Sequence, residues 1–210
     1  MDDSLSLAGE SAPPRSPLDR LEADLAAALV RSGILSEDQL AEVGAAAADQ
    51  GDRLSTRLWL LGFATEEELR LAFAQCLKIP CANLETIRTS VSENADMLSE
   101  ADVREFRIAP IARRKDAVLV ATAEPWRLAL LDDIGDKLRQ PVVPCFLDEV
   151  PLARLLEAVY GIEAPERFRT TPELRTRRLV VDETEGAGEE TAEQEDELMS
   201  ETSFDRMYQS

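Results

Sequence analysis

The sequence predicts an α+β fold: two tandem helical hairpins followed by a small α-β-β-α-β-α subdomain. Three observations predict it. Helix start signals recur before apolar residues at helical spacing through residues 18–80. That pattern repeats once, at an offset of 29 residues. Beyond residue 105, short β-forming runs alternate with helical ones.

The first helix is announced by Ser16-Pro17-Leu18-Asp19, a cap oxygen, a proline at the first helical position and an early carboxylate. Leu18, Leu21, Leu25, Ala28 and Leu29 then share one face. Ser36-Glu37-Asp38-Gln39 and Thr65-Glu66-Glu67-Glu68 are capping boxes. Gly33 and Gly62 stand where the preceding helices end, because glycine accepts the left-handed C′ conformation. In the repeat, Leu25 falls on Leu54, Leu29 on Leu58, Gly33 on Gly62, Ser36 on Thr65 and Leu40 on Leu69. Two copies are fewer than the roughly three units a solenoid needs, so a compact pair of hairpins is predicted over residues 18–91. A DNA-binding helix-turn-helix has this outline. Its second helix must be basic, yet here it carries Glu66, Glu67 and Glu68 in one copy and Glu37, Asp38 and Glu42 in the other.

Residues 92–161 change character. Residues 94–104 read as a helix, 106–111 as a strand whose Pro110 places it at an edge, 113–116 as a polar turn and 117–121 as a second strand. Residues 126–138 place Leu128, Leu131, Ile134 and Leu138 on one helical face, and 142–147 read as a third strand. Asp148 caps a last helix that Gly161 closes. Arg113-Arg114-Lys115 reads as a solvated hairpin tip, with an anion site as its sharper alternative.

Composition limits the function. The 210 residues hold 23 Lys and Arg against 42 Asp and Glu, a net charge of −19. That balance argues against nucleic acid and against an anionic membrane surface. No apolar run is long enough to insert into a bilayer, and residues 1–17, read as a flexible N-terminus, have no secretory h-region, so a cytoplasmic protein is expected. There is no His, which removes Ser-His and Cys-His catalysis and most zinc chemistry. Cys76, Cys81 and Cys145 lack CxxC spacing and read as reduced packing thiols. No glycine-rich phosphate loop occurs. No metal or cofactor is implied and no enzyme is expected. Residues 162–210 are read as a disordered acidic tail, with ten acids and no base between Asp182 and Glu201. Its role is either solubilising or the docking of a basic partner.

Four segments in order carry a family resemblance. The second repeat runs from Arg53 through Leu54, Leu58, Gly62, Leu69 and Phe73 into Leu77-Lys78-Ile79-Pro80. The first repeat, Val118-Leu119-Val120-Ala121-Thr122-Ala123-Glu124-Pro125 and Leu156-Glu157-Ala158-Val159-Tyr160-Gly161 complete the set. Together they resemble the N-terminal domain of type II secretion and type IV pilus assembly ATPases, of the GspE, PilB and MshE type, without the ATPase domain. The resemblance implies a non-catalytic module that docks a partner protein, such as an inner-membrane platform component. In many pilus members the tandem motif RLGxxLVxxGxIxxxxLxxxLxxQ binds cyclic di-GMP instead. On that alternative the ligand residues are Arg53, Leu54, Leu58, Gly62, Leu69, Phe73 and Gln75. The polar positions are degenerate: the motif Arg falls on Asp24 in the first copy, the Gly on Ala26 and Ser55, and the Gln on Ala47 and Cys76, with Gln75 one residue early. An Asp facing a phosphodiester at ~4 Å costs up to about 4 kcal/mol at surface-like screening. Trp59 replaces an aliphatic residue of the family. It is either a core residue or, if exposed, an anchor for a protein partner.

Overall fold

A computed structural model describes residues 16–173, and these fall in one compact unit. Helix α1 (Pro17–Arg31) opens on the Ser16/Asp19 capping box. Helix α2 (Glu37–Gln50) opens on reciprocal bonds between Ser36 and Gln39, at 2.9 and 3.2 Å. Helix α3 (Leu54–Leu60) follows, then α4 (Glu66–Cys76), which opens on the Thr65/Glu68 box. Gly33 and Gly62 have φ of 69° and 72°, the left-handed values their positions require. The repeat is therefore physical: each copy is a helix, a glycine turn and a capped second helix.

Helix α5 (Leu84–Glu93), capped by Asn83, has no counterpart in the sequence reading. It packs on β1 (Ile108–Arg113) and on α8 (Glu149–Tyr160). The helix read over 94–104 is a 3-10 turn at Ala95–Met97 followed by α6 (Glu100–Phe106). Strand β2 (Val118–Thr122), helix α7 (Leu128–Leu138) and strand β3 (Val142–Phe146) come next. The sheet order is β1-β2-β3, with β1 antiparallel to β2 and β3 parallel to it. Pro110 lies on the edge strand as expected, and the register slips between Pro110 and Ala112, where a proline supplies no ladder donor. On the far side, Phe146 donates to the Pro80 carbonyl at 2.7 Å and accepts from Ala82 at 2.8 Å, so the 80–82 segment covers β3.

Two apolar cores form. One gathers β1, β2, α7 and the Leu152, Leu155 and Leu156 face of α8. The other gathers α1 to α4 with Phe146, Val150 and Ala153. Helix α8 is thus buried on two faces and joins both. The 91/92 division drawn from the sequence does not follow this packing, because α5 lies with the sheet and α8 serves the helical core. The reading of residues 162–210 as a disordered tail also needs correction at its start. Helix α9 (Glu166–Arg169) packs on α8, and Ile162, Ala164 and Phe168 are buried. Residues 1–15 and 174–210, which hold the predicted flexible N-terminus and the acidic run, lie outside the described residues. Among the described residues no helix is long and apolar enough to cross a membrane.

Candidate functional site

The second motif copy places its residues at the seam between the helical hairpins and the sheet. Arg53 stands at the N-cap of α3 but gives no side-chain cap. Glu22 of α1 takes that duty, accepting from the Leu54 N–H at 2.9 Å. The Arg53 guanidinium turns to the α/β part instead. It donates to the Ala123 carbonyl at 3.1 Å and to Glu124 at 2.9 Å, with Glu149 3.9 Å away. The next two residues of α3 extend the seam. Ser55 donates to Asp148 at 3.1 Å, and Thr56 donates to Glu149 at 2.8 Å. Asp148 also accepts from the Glu149 N–H at 2.8 Å, capping α8 as the sequence predicted. Burial pushes its carboxyl up to about 6, against the opposing pull of the Glu149 N–H, Ser55 and Arg53. Sequence reasoning found Asp148 as a cap and Arg53 as a motif cation. It found the partners of neither, because the Arg53–Glu124 bond spans 71 residues and the Ser55–Asp148 bond 93.

The other candidate ligand residues divide. Leu54, Leu58, Leu69 and Phe73 are buried in the helical core, where Phe73 meets the Phe146 ring at 4.6 Å between centroids. Gly62 closes α3 with its positive φ. Gln75 is exposed on α4, away from these buried side chains. At the pseudo-equivalent polar positions, the Asp24 carboxylate acts on Cys76. The Cys76 thiol is pushed up by burial first and by Asp24 second. An acid and a thiol thus stand where the motif calls for Arg and Gln. Trp59 is 2% exposed, so the surface-anchor reading does not hold and the residue is core.

Trp59 nevertheless lines a cleft of about 140 Å³ between α4, the 82–85 segment and the start of α8. Leu69, Phe73, Phe146 and Val150 line it with Trp59, and Glu66, Glu67, Arg70 and Glu85 bring charge to it. Arg70 pairs with Glu67 and Arg154 with Glu66. Asn83 donates to Glu67 at 3.2 Å. Among the described residues no cluster of Cys, Asp and Glu is arranged to hold a metal ion.

Residues 77–166 match the MshEN domain. The matched span holds the sheet and α5 to α8, and both motif copies precede it. A solved structure of MshE with cdg is 28% identical, with a TM-score of 0.51, over 65% of this chain and 98% of that one. The N-terminal domain of XpsE is 18% identical, with a TM-score of 0.47, over 69% of this chain and 96% of that one. No curated protein sequence matches. The MshEN match and the MshE likeness bear out the resemblance to the N-terminal domains of secretion and pilus ATPases. They support a regulatory or interaction module.

Proposed function

We propose that the chain is a non-catalytic docking module for a protein partner, working on the cytoplasmic side against an inner-membrane platform component of a secretion or pilus machine. The observation that carries this reading is the commitment of Arg53. The one motif cation that survives is engaged within the molecule by Ala123 and Glu124. A phosphodiester would have to displace a carboxylate to reach it. Asp24 at the equivalent position of the first copy would repel the same group. The motif leucines are accounted for as core.

The second reading is a cyclic di-GMP receptor, favoured by the likeness to MshE solved with cdg and by the retention of Arg53. One experiment separates the two. The full chain is titrated by calorimetry with cyclic di-GMP, and in parallel with the cytoplasmic segment of the platform protein from the same genome. The expected result is no heat with the nucleotide and saturable heat with the segment. Tight nucleotide binding that Arg53→Ala abolishes would overturn the docking reading and install the second.

A further inference from the structure

The cleft beside Trp59 has a size and a charge that specify what fits it. We propose that it receives a single aromatic or branched apolar side chain from a partner segment, with Lys or Arg beside that anchor set against Glu66, Glu67 and Glu85. The inference deepens the docking reading and rests on it. Its first ground is volume. About 140 Å³ is the scale of an apolar cavity that holds a benzene-sized group. Whole small-molecule sites start at about 300 Å³. The space therefore suits one side chain, and the remaining affinity must come from the surface around it. Its second ground is the lining. Trp59, Leu69, Phe73, Phe146 and Val150 offer a wall of rings and branched aliphatics, the surroundings in which an interface anchor is desolvated.

The third ground is charge. Four carboxylates line the cleft, on Glu66, Glu67, Glu85 and Asp148, against the one cation Arg70. Arg70 is already held by Glu67. Glu85 is exposed and has no ion pair among the described residues. Glu66 is raised above the usual carboxylate range, by burial first, with Glu85 adding repulsion and Arg154 opposing. A cation arriving at this rim meets Glu85 without an ion pair, beside Glu67 and Glu66 that Arg70 and Arg154 already hold, whereas a phosphate would be repelled by Glu85. The partner is therefore a basic protein segment and not a nucleotide.

The test selects a phage-displayed library of random 12-residue peptides on the immobilised full chain, then titrates an enriched, labelled peptide. Enriched peptides are expected to carry Phe, Trp or Leu with Lys or Arg nearby. Ala82→Leu, which narrows the cleft, is expected to weaken binding about tenfold. Glu85→Lys, an exposed change that leaves the apolar lining intact, is expected to weaken it about three- to tenfold, and added salt to weaken it further. Peptides that bind but ignore both variants would overturn the cleft while leaving the docking reading in place. So would acidic peptides, a peptide of residues 182–210, or self-association abolished by Ala82→Leu. No enrichment counts against the cleft; joined to heat from cyclic di-GMP, it removes the docking reading as well.

Discussion

Asp148 caps α8 while buried beneath Ser55, and the two roles pull its proton in opposite directions. Capping favours the carboxylate, which accepts from the Glu149 N–H and from Ser55. Burial favours the neutral acid, and burial wins, raising the group from 3.8 to about 6. Between those values the folded protein keeps a proton that the unfolded chain has released. Stability from this group is therefore full below the lower value and is lost as pH rises through the upper one. The loss amounts to roughly 3 kcal/mol. Asp148→Asn keeps an oxygen for both donors and cannot ionise. Urea unfolding at several pH values should find the variant gaining on the parent as pH rises from about 4 to 7, and more stable at the upper end. A constant difference across that range would show that Asp148 does not titrate there.

At the scale of elements, the helix ends separate by what one residue type does in two settings. Gly33 has φ of +69° and no atom within 4 Å of where a Cβ would sit, so Gly33→Ala meets no clash and suffers only from the left-handed backbone. Its expected cost is about 1 kcal/mol. Gly44 lies inside α2, also with open space around it and no positive φ. Gly44→Ala should stabilise by roughly 0.5–1 kcal/mol, because alanine loses less backbone freedom on folding. Thermal melts of the two variants should therefore move in opposite directions, and equal shifts would contradict the turn assignment. The same local logic explains which elements the sequence disclosed. The Ser16, Ser36 and Thr65 boxes were legible because both bonded groups lie three residues apart. The three strands were legible because their apolar runs are bounded by polar turns. Helix α5 escaped because Leu84–Glu93 mixes Thr and Ser with few apolar residues, leaving Asn83 as its one clear signal. Helix α9 escaped because Phe168 stands as a lone large apolar residue between Arg167 and Arg169, in a helix of four residues with no side-chain cap. The seam of Arg53, Ser55 and Thr56 with Glu124, Asp148 and Glu149 escaped for a different reason: no local pattern encodes pairing across more than seventy residues.

Over the whole molecule, the question is whether the two cores unfold together. Helix α8 gives Val150 and Ala153 to one core and Leu152, Leu155 and Leu156 to the other, so neither can melt without baring a face of it. The chain after Gly161 adds a second tie. It leaves the end of α8 and sends Phe168, 1% exposed, into the helical core. Arg167 anchors that return on Asp52 at 2.9 Å, and Asp52 also pairs with Arg57 of α3. Arg169 pairs with Glu157 on α8. The exposed Arg169–Glu157 pair contributes less than the ring, since exposed ion pairs are worth about 0–1 kcal/mol, while the Asp52 side chain, 4% exposed, is buried and held by both cations. Phe168→Ala removes the ring and leaves a cavity, at an expected cost of about 3–5 kcal/mol. If α8 couples the cores, calorimetry of the parent gives one transition, and Phe168→Ala moves that whole transition down. Sheet and helical signals then fall together, although the substitution touches only the helical core. Two separated transitions in the variant, with the sheet melting at its original temperature, would show that α8 holds to the sheet without its helical neighbours. In that case the seam at Arg53 and Asp148 joins two independent bodies, and a partner in the cleft would bridge them.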